Sequence, residues 1–471
     1  MKSILFTAFL TVCCLMQLQA QVRNLESCIQ TAWENNIQVR QTLLNGSLAE
    51  VDLIQARNQR FPNLSAGSSL SLSGRSVDPT NNQFAANSFF TNNYSLNSNV
   101  LLYNGGIVRK NIKRALMSRD AARLQQDDVK QFIALQVANA YLNVLFAQEN
   151  LNVEETRTNI TRRQIDQLER LIAGGLRPNN DIYEVKATLA ANEQSLVTAK
   201  GNLELARLSL NQSMRIPSDE RFDLVIPEIV LAALEDPFQM SSEEVYLVAA
   251  ALQPSLKNST LQVDLAVLDE EIAKASMLPS LGLGGSVGTN YSSLGKEVVG
   301  EEEVVVTQPI IINDVETDVG FKQTVPQVED KAYGSQMIDN VTYGYGLSLT
   351  VPIYTNYRNK ASIRRAQIAK ENAILTDKNN RDLFRQQIEQ AIVDARNSRV
   401  QYDAAQASVE ASKQSFENLQ LSFDQGNVNS FQLNIAADQF NNAQLQSLLA
   451  KYDYIFKMKI IDLYMGKKLQ F

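Results

Sequence analysis

The side chains best suited to chemistry in this 471-residue sequence are carboxylates, because histidine is absent and only three cysteines occur. Without imidazoles, His-based catalysis and His metal sites are excluded. The densest acidic run, Glu301-Glu302-Glu303, could attract a cation, but no spaced Asp/Asn/Gly loop of the calcium-binding type follows it. Asp127-Asp128 lies in a helical pattern, where a solvated helix face is the ordinary explanation. We therefore interpret these carboxylates as solvated surface.

A glycine-rich run, Gly282–Gly288, is the only hint of a nucleotide loop. Its spacing differs from G-x-G-x-x-G because Val287 stands at the last glycine position, and the run lies inside an alternating strand pattern. No Walker motif, H-E-x-x-H, cysteine pair or G-x-S-x-G occurs. A net charge of −7 argues against broad nucleic-acid binding. The sequence predicts no enzyme, no cofactor, no metal site and no nucleic-acid partner.

The other elements of the chain are arranged around two long stretches that contain no glycine or proline. The first, Ile107–Ala173, lies between Gly105-Gly106 and Gly174-Gly175 and is predicted to be one helix. Its 67 residues (173 − 106) would extend roughly 100 Å at ~1.5 Å per residue, whereas a usual globular helix has about 11–12 residues. The second stretch runs from about Tyr357 to Gln425. Each rod must pack sideways on similar rods or lie exposed.

An internal duplication relates the two rods. Tyr94–Tyr103 resembles Tyr345–Tyr354 at a shift of 251 (354 − 103), and a shift of 217 (279 − 62) carries Pro62 onto Pro279. Helix, proline break, strand pair, rod and return helix recur in this order, and the first return helix can be capped by Asn179 or Asn180. We divide the chain into a signal peptide (1–20), a first repeat (21–215), an inter-repeat equatorial linker (216–242) and a second repeat (243–471).

The first twenty residues are predicted to be a secretory signal, because the apolar core Ile4–Met16 is too short to span a bilayer. Cleavage after Ala20 leaves Cys28 as the single cysteine, so no disulfide within the chain is expected. We interpret Cys28 as a small packed residue rather than a reactive thiol. The alternative is a lipoprotein signal cut before Cys13, although Val12 is bulky where a small residue is preferred.

Four segments of about ten residues, near 64–73, 94–103, 281–291 and 343–353, alternate with a period of two, and this predicts β-strands. One face is apolar, as in Tyr94, Leu96, Val100 and Leu102, and the other carries Ser, Asn, Thr and Gly. Ten residues suit a tilted membrane strand; the alternative is a soluble antiparallel sheet with one buried face. The acidic segment Ser293–Asn340 is predicted to be an extracellular loop. The residues predicted to face lipid are Leu96, Val100, Leu347, Leu349 and Val351, and those predicted to face the lumen are Asn97, Asn99, Ser348 and Thr350.

The chain resembles the outer membrane efflux protein family over nearly all of its mature length. The resemblance rests on Leu25–Asn36, the doubled helix-proline-strand unit, Leu102–Gly106, and the tip turns Ala173–Leu176 and Gln425–Val428. It implies a mainly α fold with β, in which a homotrimer forms a 12-stranded outer-membrane β-barrel continued by a long periplasmic α-helical barrel. Four strands cannot close a barrel alone, since the known minimum is about eight.

The resemblance implies an outer-membrane channel, the passive exit duct of a tripartite efflux or type I secretion system. Its partners would be a periplasmic adaptor, an inner-membrane transporter and outer-membrane lipid. The competing class is a secreted coiled-coil structural tether or adhesin. A channel of this family contacts its adaptor through the helix tips, which here comprise Gly174, Gly175, Leu176, Gly426, Asn427 and Val428.

The periplasmic mouth of the family is closed by acidic residues just past the second tip. Here the corresponding positions are Gln432 and Ile435, so that carboxylate ring is absent in its usual form. We predict Asp181, seven residues after Gly174 (181 − 174), as the main mouth carboxylate, with Gln432 adding a polar contact to closure. The alternative for Asp181 is a first-turn carboxylate favoured by the helix dipole, worth about 0.3–1 kcal/mol.

Overall fold

The computed structural model describes residues 23–75, 87–175, 177–225, 235–312, 315–425 and 427–469. The signal peptide with Cys13, and the tip residues Leu176 and Gly426, lie outside the described residues. The elements of the first half are α1 (Leu25–Asn35), α2 (Ile37–Asn58), β1 (Asn63–Arg75), β2 (Asn87–Asn104), α3 (Ile107–Ala173) and α4 (Asp181–Met214). Those of the second half are α5 (Ser242–Leu252), α6 (Pro254–Ala275), β3 (Ser280–Ser292), β4 (Lys296–Ile312), β5 (Val315–Asp330), α7 (Tyr333–Asp339), β6 (Thr342–Thr350), α8 (Arg358–Asp424) and α9 (Ser430–Tyr464).

Both rods form as predicted. Helices α3 and α8 each contain 67 residues, and the predicted bounds agree with the observed ones within one residue. The ends of α3 follow from its flanking glycines, because Gly105 (φ 66°) and Gly175 (φ 73°) adopt left-handed backbone that other residues rarely adopt. The fold is thus mainly helical with a smaller sheet component. Among the described residues, we find no helix with both the length and the apolar character needed to cross a bilayer.

The described residues form two compact units. Those of Met1–Val51, Leu116–Val267 and Ile368–Phe471 form unit 1, and those of Asp52–Ala115 and Leu268–Gln367 form unit 2. Each unit takes residues from both predicted repeats. The division into repeats, and the domain bounds drawn from it, remain predictions.

Unit 1 is helical and its core is built from side chains of several helices. Cys28 is fully buried among residues such as Val137, Tyr141 and Ile455. Burial raises the pKa of the Cys28 thiol to about 11, so the thiolate is disfavoured and the interpretation as a packed residue is confirmed. Asn36 separates α1 from α2: its backbone is extended, and its Oδ1 accepts from the Gln38 N–H at 2.8 Å as α2 begins.

Unit 2 contains an antiparallel four-stranded sheet in the order β1-β2-β3-β6. Two predictions need correction here. Strand β2 begins at Asn87 rather than near Tyr94. Strand β6 ends at Thr350, so Val351 lies in no strand; Pro352 follows it and has no N–H to offer a ladder. Within the predicted loop Ser293–Asn340, β4 and β5 pair into a separate two-stranded ribbon and α7 follows; the extracellular location of this segment stays a prediction.

Candidate functional site

The first helix tip joins α3 to α4 through a glycine turn. The Gly174 N–H donates to the Arg170 carbonyl at 3.1 Å, and the Gly175 N–H donates to the Ile172 carbonyl at 2.9 Å. Helix α4 then begins without a side-chain cap, because Asn180 has right-handed helical backbone and its side chain accepts no N–H. The predicted cap is therefore wrong at Asn180. The Asp181 N–H instead donates to the Pro178 carbonyl at 3.2 Å, which closes a turn ahead of the helix.

The second tip joins α8 to α9 and has a true N-cap. The Asn427 N–H donates to the Ser422 carbonyl at 2.9 Å, which closes the end of α8. Asn429 is extended, and its Oδ1 accepts from the Gln432 N–H at 2.9 Å. An Asn in this position satisfies one of the N–H groups that a helix start leaves unpaired. The two tips thus begin their return helices in different ways.

Polar contacts join the two tips directly. The Arg177 guanidinium donates to the Val428 carbonyl at 2.8 Å, and its Cζ lies 5.1 Å from the centre of the Phe423 ring, within cation–π range. The Ser430 hydroxyl donates to Glu184 Oε2 at 2.9 Å. In each hydrogen bond, a charged side chain of the first tip pairs with a neutral group of the second tip.

A small apolar core lies beneath these contacts. It contains the buried residues Ile165, Leu168, Val185, Phe423 and Leu433, which come from α3, α4, α8 and α9. A further bond links the two rods, because Gln167 Nε2 donates to Asp424 Oδ1 at 3.0 Å. The tips are therefore one packed structure rather than two free loops.

The predicted mouth residues lie at the tips but do not meet. Asp181 is the first residue of α4 and Gln432 lies in the first turn of α9, where its side chain is exposed. No hydrogen bond between their side chains occurs among the described residues. We did not predict Arg177, Glu184 and Ser430 as contact residues from the sequence. One signal was present: Arg177 and Val428 occupy equivalent repeat positions, since 428 − 177 equals the repeat shift of 251.

The sheet of unit 2 has one apolar and one polar face, as predicted. Leu96 pairs with Ala66 on β1 and Val287 on β3. Paired residues of antiparallel strands share a face, so apolar side chains form continuous rows. The other apolar pairs are Val100 with Leu283, Leu283 with Leu347, and Leu281 with Leu349.

The opposite face carries small polar residues in the same register. Asn97 pairs with Ser286, and Asn99 pairs with Gly284. The missing side chain at Gly284 matters, since a Cβ there would lie 2.8 Å from Asn99 Oδ1. Ser348 pairs with Gly282, where a Cβ would meet Ser348 Oγ at 3.1 Å. The glycines of β3 therefore leave space for the Asn99 amide on β2 and the Ser348 hydroxyl on β6.

A β-bulge changes the face of the last residues of β2. Leu101 pairs with Gly282 and Tyr103 pairs with Leu281, so Leu102 is the inserted residue. Tyr103, not Leu102, therefore stands beside Leu281 on the apolar face. Past Leu101 a strict period of two therefore no longer assigns the faces, because one residue is inserted.

The arrangement offers surfaces and polar contacts rather than reactive groups. In the part of the chain that the structure describes, no group of three or more Asp, Glu or Cys side chains could hold a metal ion. A sheet with an apolar and an uncharged polar face can separate lipid from water. A packed tip held by a few polar bonds can open when those bonds are exchanged.

Comparisons with known proteins agree on one family. The profile of the outer membrane efflux protein family matches residues 28–214 and 245–457. The outer membrane protein TolC of Escherichia coli is 23% identical over 192 residues, 40% of this chain and 39% of TolC. The alkaline protease secretion protein AprF of Pseudomonas aeruginosa is 27% identical over 225 residues, 46% of this chain and 42% of AprF. These matches span about two fifths of the length of each relative.

Solved structures match over more of the chain. The open state of the Neisseria gonorrhoeae MtrE outer membrane channel has a TM-score of 0.70 at 20% identity, covering 95% of this chain and 89% of that chain. At this identity the match establishes the fold.

Proposed function

Since the chain belongs to the outer membrane efflux protein family, we propose that it is the exit duct of a tripartite export system. It is an outer-membrane protein with its helical part in the periplasm, and its family is one of transport conduits, not enzymes. On this proposal three copies form one passive duct, with a 12-stranded barrel in the outer membrane and a helical barrel across the periplasm. A periplasmic adaptor and an inner-membrane transporter supply selection and energy.

The observation that carries the proposal is the two-faced sheet. Leu96, Val100, Leu347 and Leu349 lie on its apolar face, and Asn97, Asn99, Ser348 and Thr350 lie on the polar one. We propose that the apolar face contacts lipid and the polar face lines the lumen. Val351 lies just past β6 and belongs to the lipid boundary rather than to the strand.

The exposed edges and faces support a trimer. The sheet order leaves one edge of β1 and one edge of β6 without a strand partner among the described residues, so that neighbouring copies can pair there. Helix α2 exposes Ile37, Leu44, Leu48 and Val51 at spacings of 7, 4 and 3, which form one apolar stripe. Such a stripe is typical of a helix that packs on a partner. Twelve strands, four from each of three copies, are enough to close a barrel.

The tips are the proposed adaptor contact. The turn residues Gly174, Gly175, Asn427 and Val428 lie beside the Arg177 and Ser430 bonds, and Leu176 and Gly426 complete the two turns in sequence. Adaptor docking would exchange those bonds for contacts with the adaptor and open the mouth. The β4–β5 ribbon, which follows β3, is proposed to be extracellular. An epitope inserted there should be reached by antibody on intact cells.

Cysteine labelling tests the orientation of the sheet. We expect a bulky water-soluble maleimide to label Ser348→Cys but not Leu349→Cys in the folded trimer. Cys28 does not interfere, because its thiol is buried and has a raised pKa. Labelling of Leu349→Cys alone would reverse the faces. We also expect the protein to be a heat-modifiable trimer in outer-membrane fractions. A soluble monomer would instead support the alternative class, a secreted structural tether or adhesin.

A further inference from the structure

A cavity of 240 Å³ lies within unit 1, lined mainly by α3, α4 and α9, with Phe416 contributed by α8. None of the residues that form the tip bonds lines it. Toward the tip, the lining reaches Thr188 and Asn434, each four residues (188 − 184 and 434 − 430), or about one helical turn, past the Glu184–Ser430 bond.

Two buried amide atoms in the cavity wall lack a partner in the protein. They are Asn192 Oδ1 and Gln164 Nε2, and the two residues are only 1% and 9% exposed. The orientation of Asn192 is set by its neighbour, because Asn192 Nδ2 donates to Thr161 Oγ1 at 2.9 Å and Thr161 Oγ1 donates to the Arg157 carbonyl at 3.2 Å. The cavity wall therefore contains one hydrogen-bond acceptor and one hydrogen-bond donor that have no partner in the protein.

The charges of the cavity are already paired. Arg157 forms an ion pair with Asp438 and lies 3.7 Å from Glu154, and the remaining lining residues are uncharged. A charged solute would lose its hydration and find no free countercharge, so a neutral solute is favoured.

One part of the cavity wall is aromatic, formed by two phenylalanines. The rings of Phe416 and Phe440 stack with centroids 5.9 Å apart and planes 11° apart. The face of an aromatic ring carries partial negative charge and attracts the partly positive C–H groups of a solute. Amides and hydroxyls, including Asn434, Asn441 and Thr188, surround this apolar wall.

We propose that this cavity binds a small neutral polyol of monosaccharide size. One hydroxyl donates to Asn192 Oδ1, another accepts from Gln164 Nε2, and the C–H face of the molecule lies on the phenylalanine wall. The volume suits this class, since it is smaller than the roughly 300–1,000 Å³ of sites for drug-sized ligands. The proposal does not depend on the duct function, so either can fail without the other.

Saturation-transfer difference NMR with D-glucose tests the site on the purified full-length protein. The detergent is lauryldimethylamine oxide, which carries no sugar, and D-gluconate, an anion of similar size, serves as the charged comparison solute. We expect saturable transfer to glucose and none to gluconate. Absence of saturable transfer to glucose overturns the proposal and leaves a site for water only.

Matched variants locate the binding. Asn192→Leu and Gln164→Leu replace the two unpartnered amides, and each should weaken glucose binding roughly tenfold or more, as expected for a lost hydrogen bond. Gln194→Leu, on the exposed side of α4, should bind as the parent does. Phe440→Leu, which leaves both amides in place, should also weaken binding. Equal binding by all variants would indicate an unspecific surface and overturn the proposal. Circular dichroism verifies that each variant is folded. Channel conductance is expected to persist in each variant.

Discussion

Past its turn, the first helix tip, between α3 and α4, carries charged side chains, whereas the second, between α8 and α9, carries amides and hydroxyls past its turn; the carboxylate of Asp424 lies before that turn, at the end of α8. Arg177, Asp181 and Glu184 belong to the first tip. Asn429 and Ser430 belong to the second, which is also the one with a true helix cap. The Arg177–Val428 and Ser430–Glu184 bonds each join a charged group to a neutral one.

If the two tips are copies of one unit, as the sequence predicts, this difference shows how the copies can share a task. A like-charged pair across the tips would repel, and two uncapped helix starts would leave unpaired N–H groups at both turns. Placing charge on one copy and caps on the other avoids both problems. The Arg177–Val428 contact joins positions that are equivalent in the predicted repeat; its acceptor is a backbone carbonyl, so only the donor depends on residue type.

The largest expected effect comes from the shared core beneath the tips. Leu168→Ala and Leu433→Ala remove buried side chains, one from α3 and one from α9. Each should lower the free energy of unfolding of the tip by about 2–5 kcal/mol, which is typical for a buried leucine. Protease sensitivity of the turns under mild denaturant measures this. Phe431→Ala is the control, because Phe431 is 59% exposed and should change stability by less than about 0.5 kcal/mol.

If the tips were independent, one of these leucine variants would expose only its own turn to protease. We expect both turns to be exposed in both variants.

Arg177→Ala removes a charged donor and a cation–π contact together. The loss should be about 1–3 kcal/mol of tip pairing, the usual range for a hydrogen bond to a charged group. We expect more frequent open events in planar-bilayer recordings. Arg177→Lys should recover only part of the closure, because lysine lacks the planar fork.

Arg170→Ala is the matched control for charge. Arg170 is exposed in the last turn of α3, and its side chain makes no polar contact among the described residues. An increase in open events as large in Arg170→Ala as in Arg177→Ala would show that net charge, not the bond to Val428, closes the tip.

The two helix starts should respond differently to the same substitution. Asn429→Ala removes a cap and should cost about 1 kcal/mol, whereas Asn180→Ala removes none and should cost a few tenths. Amide hydrogen exchange in the first turns of α9 and α4 measures the difference. Equal acceleration at both starts would contradict the asymmetry of the caps.

The smallest effect is expected for the mouth charge. Asp181→Asn should reduce a mild cation preference and Asp181→Lys should reverse it, while Gln432→Glu should strengthen it by placing a carboxylate on the second tip. Ion selectivity in planar bilayers measures all three. If the Asp181 variants keep both conductance and selectivity in a folded trimer, Asp181 contributes only the roughly 0.3–1 kcal/mol of a first-turn carboxylate.

The helical elements were predictable because their signals are local. Glycines at the ends of α3 and an unbroken helical composition determine its bounds. The bulge at Leu102 was not predictable, because it depends on how β2 pairs with β3. The Arg177–Val428 and Ser430–Glu184 bonds depend on how distant helices pack, so residue type alone did not reveal them. The cap at Asn180 failed because a local turn through Pro178 competes with it.

The polar face of the sheet has a consequence for cargo. Between Asn63 and Ser73, and along β2, β3 and β6, no residue carries a formal charge. If the polar face lines the lumen, as proposed, a solute that crosses this stretch passes no fixed charge. A single fixed charge 4 Å from a singly charged solute would change the energy of that solute by about 1 kcal/mol even in water-like surroundings. On that proposal, this stretch does not distinguish anions, cations and neutral molecules by charge, so any ion selectivity arises elsewhere, as predicted for Asp181.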